Sequence, residues 1–386
     1  EIMLEDFLQT FSEKKAQYSN WLSNNLEIKK YNEFCNLQDP LVHQQYHPFT
    51  QWIMNQQLQD ISQEFQKDKV ELYLDLPLGV KPSGYDIWRY PKLFAQSVST
   101  GAPPDAFFQK GQNWGFPPLH PEKIREDGYR YFSAILKHHM KIACILRIDH
   151  MMNFHRLFWI PQSEPCSKGT YIKYKYQELY AIACLESHRH KTSIIGEDLG
   201  IVPSHIRKTM KQFGFKRMYI LPFEISTASK NTLNPTTQQC IASLNTHDMP
   251  TFYGYLKGRD LQFQKDILQW ITESEYAQSL KERQKQIKII KRAIGYGKFT
   301  AQLPCSYFCI LQKCLEYLAQ QNCDILLLNM EDLWKESNPQ NIPGTTYEYP
   351  NWQNRLKLTI EEINKNKHIK SILKKVNRSL SNWGDK

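Results

Sequence analysis

Three carboxylates each end an apolar run: Asp149 in Leu146-Arg147-Ile148-Asp149-His150, Glu197 in Ile195-Gly196-Glu197-Asp198-Leu199-Gly200, and Asp248 in Asn245-Thr246-His247-Asp248. A carboxylate at the end of a buried strand is costly unless it is paired or used, and three on one rim would raise the pKa of at least one. That is the raw material of acid/base and nucleophilic chemistry. Taken singly, each has a plainer reading. Asp149 could pair with Arg147 on its own strand face, and Glu197 or Asp198 could cap the helix that follows. Taken together, with Arg147 and His247 beside them and 9 Trp, 21 Tyr and 19 Phe in 386 residues, they point to a site. The aromatic content suits carbohydrate, whose C–H faces stack on rings while carboxylates bind its hydroxyls.

Strands must deliver these acids, and the pattern supplies them. Residues 1–70 are polar and helix-like, with Trp52, Met54, Leu58, Ile61 and Phe65 assigned to one helix face. Short runs rich in Ile, Leu and Val then alternate with amphipathic stretches, at 72–76, 142–148, 193–196, 218–223, 241–244 and 325–330. This predicts parallel strands covered by helices, in an α/β barrel or a doubly wound sheet. The barrel is favoured because polar residues cluster at the C-terminal ends of several strands and no GxGxxG follows the first. Two connections are long. Residues 79–119, rich in Pro, Gly and aromatics, read as a loop covering the substrate, and 249–300 as a helical insertion before the last strand. Six strands are found where a closed (β/α)8 barrel needs eight. The expectation is one catalytic barrel domain over 1–386, two strands short of closure.

Composition narrows the function classes. With 41% hydrophobic and 23% charged residues the chain can bury a core, which excludes disordered and fibrous classes. No apolar run approaches the ~20 residues of a membrane helix, and no signal-peptide pattern opens the chain. The nine cysteines lack CxxC or zinc spacing and read as reduced and mostly buried, favouring the cytoplasm. The net charge of +10 concentrates at 281–298 and 365–378, where Ile and Leu at helical spacing indicate solvated helix faces rather than a nucleic-acid surface. His138-His139 and His188 with His190 lack metal-site spacing, and no nucleotide or flavin motif occurs, so no cofactor is inferred.

Further motifs complete an ordered set. Asp75-Leu76-Pro77, Gly101-Ala102-Pro103-Pro104-Asp105 and Gly111-Gln112-Asn113-Trp114-Gly115 precede Arg147-Ile148-Asp149-His150 and Arg156-Leu157-Phe158-Trp159-Ile160-Pro161. Gly196-Glu197-Asp198-Leu199-Gly200, Thr246-His247-Asp248, Pro343-Gly344-Thr345 and Tyr349-Pro350-Asn351-Trp352 follow. In this order the set resembles the amylomaltases, the 4-α-glucanotransferases of glycoside hydrolase family seventy-seven. The resemblance implies a (β/α)8 glycosidase barrel, here lacking its first two strands at the N-terminus, and a retaining mechanism on α-1,4-glucans. Asp149 would be the nucleophile, Glu197 the acid/base, and Asp248 the acid that favours the transition state. Retention needs two carboxyl groups ~5 Å apart with split pKa values, and Arg147 would keep Asp149 ionised. By the same matching His247 and Asn341 would bind the donor sugar, and Asp105, Gln112 and Trp114 would lie on the segment closing over the glucan, with Phe107 beside them. Partners would be maltodextrins, with no membrane and no nucleic acid.

Two alternatives stand beside this. A retaining α-glucan hydrolase would use the same acids with water as acceptor. A non-catalytic glucan-binding derivative would have no need to keep Asp149 and Glu197 together. The Pro343-Gly344-Thr345 stretch also resembles one in trehalose-forming glucan isomerases, which lack the segment around Trp114.

Overall fold

The computed structural model describes residues 12–41, 43–104, 110–226, 232–236, 239–295 and 306–384. The chain divides into two compact units, the boundary falling between Glu197 and Asp198. Among the described residues no helix is long and apolar enough to cross a membrane.

The first unit opens with helices Ser12–Asn24, Leu26–Gln38 and Tyr46–Lys67, as the polar helical pattern predicts. The third buries Phe49 and Trp52, on which Tyr18 rests with ring centroids 6.3 and 5.5 Å away. The predicted stripe is corrected here. Met54 and Ile61 are exposed, because at about 100° per residue the positions two and nine beyond Trp52 both lie on the opposite side of the helix. The strands are β1 Tyr73–Leu76, β2 Val98–Ala102, β3 Gln112–Asn113, β4 Ile145–Ile148, β5 Arg156–Pro161, β6 Thr170–Lys173 and β7 Ser193–Gly196. β1, β4 and β7 form a parallel sheet in the order β1-β4-β7, with Asp75 opposite Arg147 and Ile148 opposite Gly196. Helices Arg130–Met140 and Tyr176–His190 cover it, burying Phe132, Leu136 and Met140 with Leu179, Tyr180 and Ala183. Each such large apolar side chain contributes ~1.5–3 kcal/mol on burial.

The segment 79–119 is not the unstructured loop its composition predicts. It holds a short helix, Tyr85–Arg89, and strands β2 and β3, which join β5 and β6 in an antiparallel sheet of order β3-β2-β5-β6. β2 finds its long partner β5 some sixty residues on, pairing Gly101 with Phe158, so nothing local announces the strand. Gly101 is required for the close approach of β3, since a Cβ there would stand 2.0 Å from the carbonyl oxygen of Gln112.

The second unit contains β8 Arg217–Ile220, β9 Ile225–Ser226, β10 Thr232–Leu233, β11 Cys240–Ser243 and β12 Ile325–Leu326. β8, β11 and β12 are parallel in the order β12-β11-β8, and β9 and β10 form an antiparallel pair. All six predicted parallel strands therefore occur: β7 has the predicted bounds, β8 and β11 begin one residue early and end early, and β1, β4 and β12 are shorter than predicted. Helices Phe252–Lys257, Arg259–Asp266 and Glu273–Ala293 fill most of the predicted helical insertion, the last begun by a capping box from Thr272 and Glu275. Helix Tyr307–Ala319 buries Leu311, Cys314, Leu315 and Leu318 in one cluster with Ile369, Ile372 and Val376 of helix Lys367–Gly384. The basic residues of that last helix face outward, as a solvated face should. Of the described cysteines only Cys240 and Cys314 are fully buried, a correction to the expected burial of most.

Candidate active site

The parallel sheet of the first unit sets out a charged row. Arg147, on central strand β4, is 4% exposed and would be intolerably isolated without counter-charges. Its Nη1 donates to both carboxylate oxygens of Asp75 on β1 at 2.7 Å, and its Nη2 donates to Oδ1 of Asp149 at 2.8 Å. Burial works against the guanidinium's charge, but Asp149, Asp75 and Glu197 outweigh it and raise the Arg147 pKa. The plain reading of Asp149 as a partner of Arg147 is thus true and does not compete with a chemical role. The same bond fixes which carboxylate oxygen is turned toward the arginine.

Asp149 and Glu197 each stand one residue beyond the paired rung Ile148–Gly196. The Glu197 amide donates to the Ile148 carbonyl at 3.0 Å and the Asp149 amide to that of Leu76 at 3.0 Å, so the ladder holds both residues at its edge. Adjacent parallel strands lie ~4.8 Å apart, the scale on which retaining glycosidases space two carboxyl groups. His150 follows with φ 46°, and its amide donates to Oε2 of Glu197 at 3.1 Å. Burial pulls the His150 ring down to a pKa of about 4, against the opposing charge of Asp149, so the imidazole is neutral at neutral pH. Trp114, just past β3, stands edge-on to that ring with centroids 5.2 Å apart, and its Nε1 donates to Oε1 of Gln112 at 3.2 Å. The structure therefore brings Arg147, Asp149, Glu197, Gln112 and Trp114 into one region. Asp105 and Phe107 lie outside the described residues.

The second unit carries a smaller cluster beyond β11. Oδ1 of Asp248 accepts from Nδ2 of Asn341 at 2.7 Å, and its Oδ2 lies 3.2 Å from Nε2 of His247. These three predicted residues thus sit together. Asn341 is held by its neighbour: the amide of Ile342 donates to Oδ1 of Asn351 at 3.0 Å, and the Thr345 amide donates to the Ile342 carbonyl at 3.2 Å, closing the turn through Pro343 and Gly344. Asn245 anchors the strand end by donating to Asp332, a buried acid that burial raises to about 7 against donation from the Phe252 amide and Asn245. Asp198 does not cap the helix after it. It is buried and accepts from Nε of Arg207 at 2.8 Å and from the Met218 amide at 2.9 Å, at the wall of a cavity of about 440 Å3 that Arg217, Phe223, Glu224 and Asn234 also line.

Sequence reasoning passed over Asp75 as a site residue, because its place opposite Arg147 follows from the register of β1 on β4 and from no local pattern. It also passed over His150 and Trp352, whose ring lies 5.5 Å from that of His247.

Parallel strands that hold acids at their C-terminal ends are the arrangement of α/β-barrel enzymes. The chain belongs to the glycoside hydrolase family described as 4-alpha-glucanotransferase, which it matches over residues 6–359. It is 32% identical over 317 residues to a 4-alpha-glucanotransferase of Mycobacterium tuberculosis, covering 80% of this chain and 43% of that one. A 4-alpha-glucanotransferase of Haemophilus influenzae is 29% identical over 342 residues, 86% of this chain and 49% of its own. The chain thus spans about half the length of the curated relatives it matches. In structure it is similar to amylomaltase from Corynebacterium glutamicum, with TM-score 0.85 and 25% identity, over 95% of this chain and 56% of that one. Amylomaltase from Streptococcus agalactiae, solved in complex with acarbose, shares the fold at TM-score 0.77 and 19% identity, over 97% of this chain and 76% of its own.

Proposed function

We propose that the protein is a 4-α-glucanotransferase, moving α-1,4-glucan segments between maltodextrins by a retaining double displacement in one catalytic domain whose parallel strands belong to a (β/α)8 barrel. The observation that carries this reading is the rung beyond Ile148 and Gly196, where Asp149 is held by Arg147 and Glu197 by the His150 amide. In the first step a carboxylate oxygen of Asp149 bonds to the anomeric carbon while the glycosidic C–O bond breaks. Glu197 gives its proton to the departing oxygen. In the second step an acceptor hydroxyl loses its proton to Glu197 and its oxygen displaces Asp149 from the same carbon. Two inversions give net retention. Asp248, held by Asn341, binds the donor sugar hydroxyls together with His247 and favours the flattened, cationic transition state. Trp114 and Gln112 cover the glucan, with Asp105 on the same segment, and exclude the water that would turn transfer into hydrolysis.

A slow-turnover fluoroglycoside tests the nucleophile. It should leave the peptide containing Asp149 heavier by one glycosyl unit in the mass spectrum, and label on any other residue would reassign the role.

A further inference from the structure

A non-glycine residue with left-handed φ and ψ is strained and persists where its surroundings hold it. His150 is such a residue, with φ 46° and ψ 65°, directly after Asp149. The turn it makes sets two successive amides on Glu197. The His150 N–H donates to Oε2 at 3.1 Å, and the Met151 N–H donates to the Glu197 backbone carbonyl at 2.9 Å. The turn is closed from behind by the Asn153 amide, which donates to the His150 carbonyl at 2.8 Å, and by Nδ2 of Asn153, which donates to the Asp149 carbonyl at 3.3 Å. The imidazole meets the edge of Trp114, whose own amide donates to the Thr100 carbonyl at 2.9 Å on β2.

We infer that His150 is a positioning residue for proton transfer: its left-handed turn locks the Glu197 carboxyl in place through the backbone amide, and its ring ties that lock to the segment bearing Trp114. A protonated carboxyl accepts on its carbonyl oxygen and donates from its hydroxyl. With Oε2 accepting from His150, the proton that Glu197 transfers is carried on Oε1. The side chain at 150 therefore acts through the backbone it shapes, not by touching the sugar. The neutral ring suits this role, since a charged imidazolium packed on Trp114 would compete with Arg147 for Asp149.

The inference rests on Glu197 being the acid, and the test separates the two. The whole protein carrying His150→Val, His150→Ala or His150→Gly is assayed for kcat/KM with maltotriose and with maltotriosyl fluoride, whose fluoride leaves with little help from an acid. Valine is disfavoured in the left-handed region and glycine is at home there. His150→Val should lose at least tenfold on maltotriose but no more than about twofold on the fluoride, and His150→Gly should recover to within about threefold of wild type on maltotriose. If the valine variant does not fold, His150→Ala must show the same order with a smaller loss. A glycine variant as poor as the valine or alanine one, or equal losses on both donors, would overturn the inference. Glu197→Gln run alongside must itself lose far more on maltotriose than on the fluoride. If it does not, the acid is misassigned and the functional reading fails, whatever the His150 variants do.

Discussion

Replacing Arg147 with methionine keeps the length of the buried stem and removes the guanidinium that joins Asp75 to Asp149. Three bonds of 2.7, 2.7 and 2.8 Å are lost, all made by a side chain only 5% exposed. Breaking a buried ion pair from one side costs ~3–5 kcal/mol, because the partner is left charged and unpaired. Here the partners are 36% and 33% exposed, so water recovers part of that cost and about 2–3 kcal/mol remains. Part of it should vanish when Asp75→Asn is made in the same protein, since one of the two stranded charges is then gone. Urea unfolding at pH 7 of the wild type, both single variants and the double variant gives the coupling, expected at ~1–2 kcal/mol. Stability and activity should then part company: the double variant regains stability but not turnover, because Asp149 has lost the donor that orients it, and kcat should fall on the order of a hundredfold. Arg147→Lys should behave like the methionine variant in turnover, since one ammonium cannot fork between two carboxylates. Additivity within about 0.5 kcal/mol, or a double variant with normal kcat, would refute this reasoning.

Asn341→Ala removes the 2.7 Å donor to Asp248 and should lower kcat/KM with maltotriose about tenfold, a charge-assisted bond of ~1.5 kcal/mol, while the unfolding midpoint stays within 2 °C; an equal loss of stability would make the residue structural. Trp114→Ala should shift products from longer maltodextrins toward glucose and maltose, as water enters the uncovered site, and an unchanged ratio of transfer to hydrolysis would contradict the covering role. For Asp332, burial raises the folded acid to about 7, above its unfolded value near 4, so the folded state holds this proton more tightly. Its stabilising contribution is present at low pH and is lost as pH climbs from about 4 to about 7. At ~1.4 kcal/mol per pH unit, wild type should gain roughly 3 kcal/mol over Asp332→Asn between pH 8 and pH 5 in calorimetry, whereas a pH-independent difference would contradict the raised pKa.

The parallel strands were legible because buried strands read as short apolar runs, as in β4, where Ile145, Leu146 and Ile148 flank Arg147, and β11, whose four residues Cys240–Ser243 are all buried. The carboxylates after them were legible for the opposite reason, as charges where the apolar run stops. The antiparallel sheet was not. β3 is two residues long, and β2 carries Ser, Thr and Gly whose partners on β5 are remote in sequence, so local composition reads as loop. Nor could spacing reveal that Asp75 shares Arg147 with Asp149, since that follows from the register of β1 on β4. His150 escaped because its contribution lies in a backbone angle, which no side-chain pattern encodes. Asp198 shows the reverse error, since a plausible helix cap is spent on Arg207 and the Met218 amide.

The most direct test is to incubate the purified whole protein with maltotriose and resolve the products by chain length over time. A ladder of maltodextrins longer than maltotriose, appearing together with glucose and abolished by Asp149→Asn, is the predicted result. Glucose and maltose alone, with no longer chains at any time, would mean that water is the acceptor and that the protein is a hydrolase.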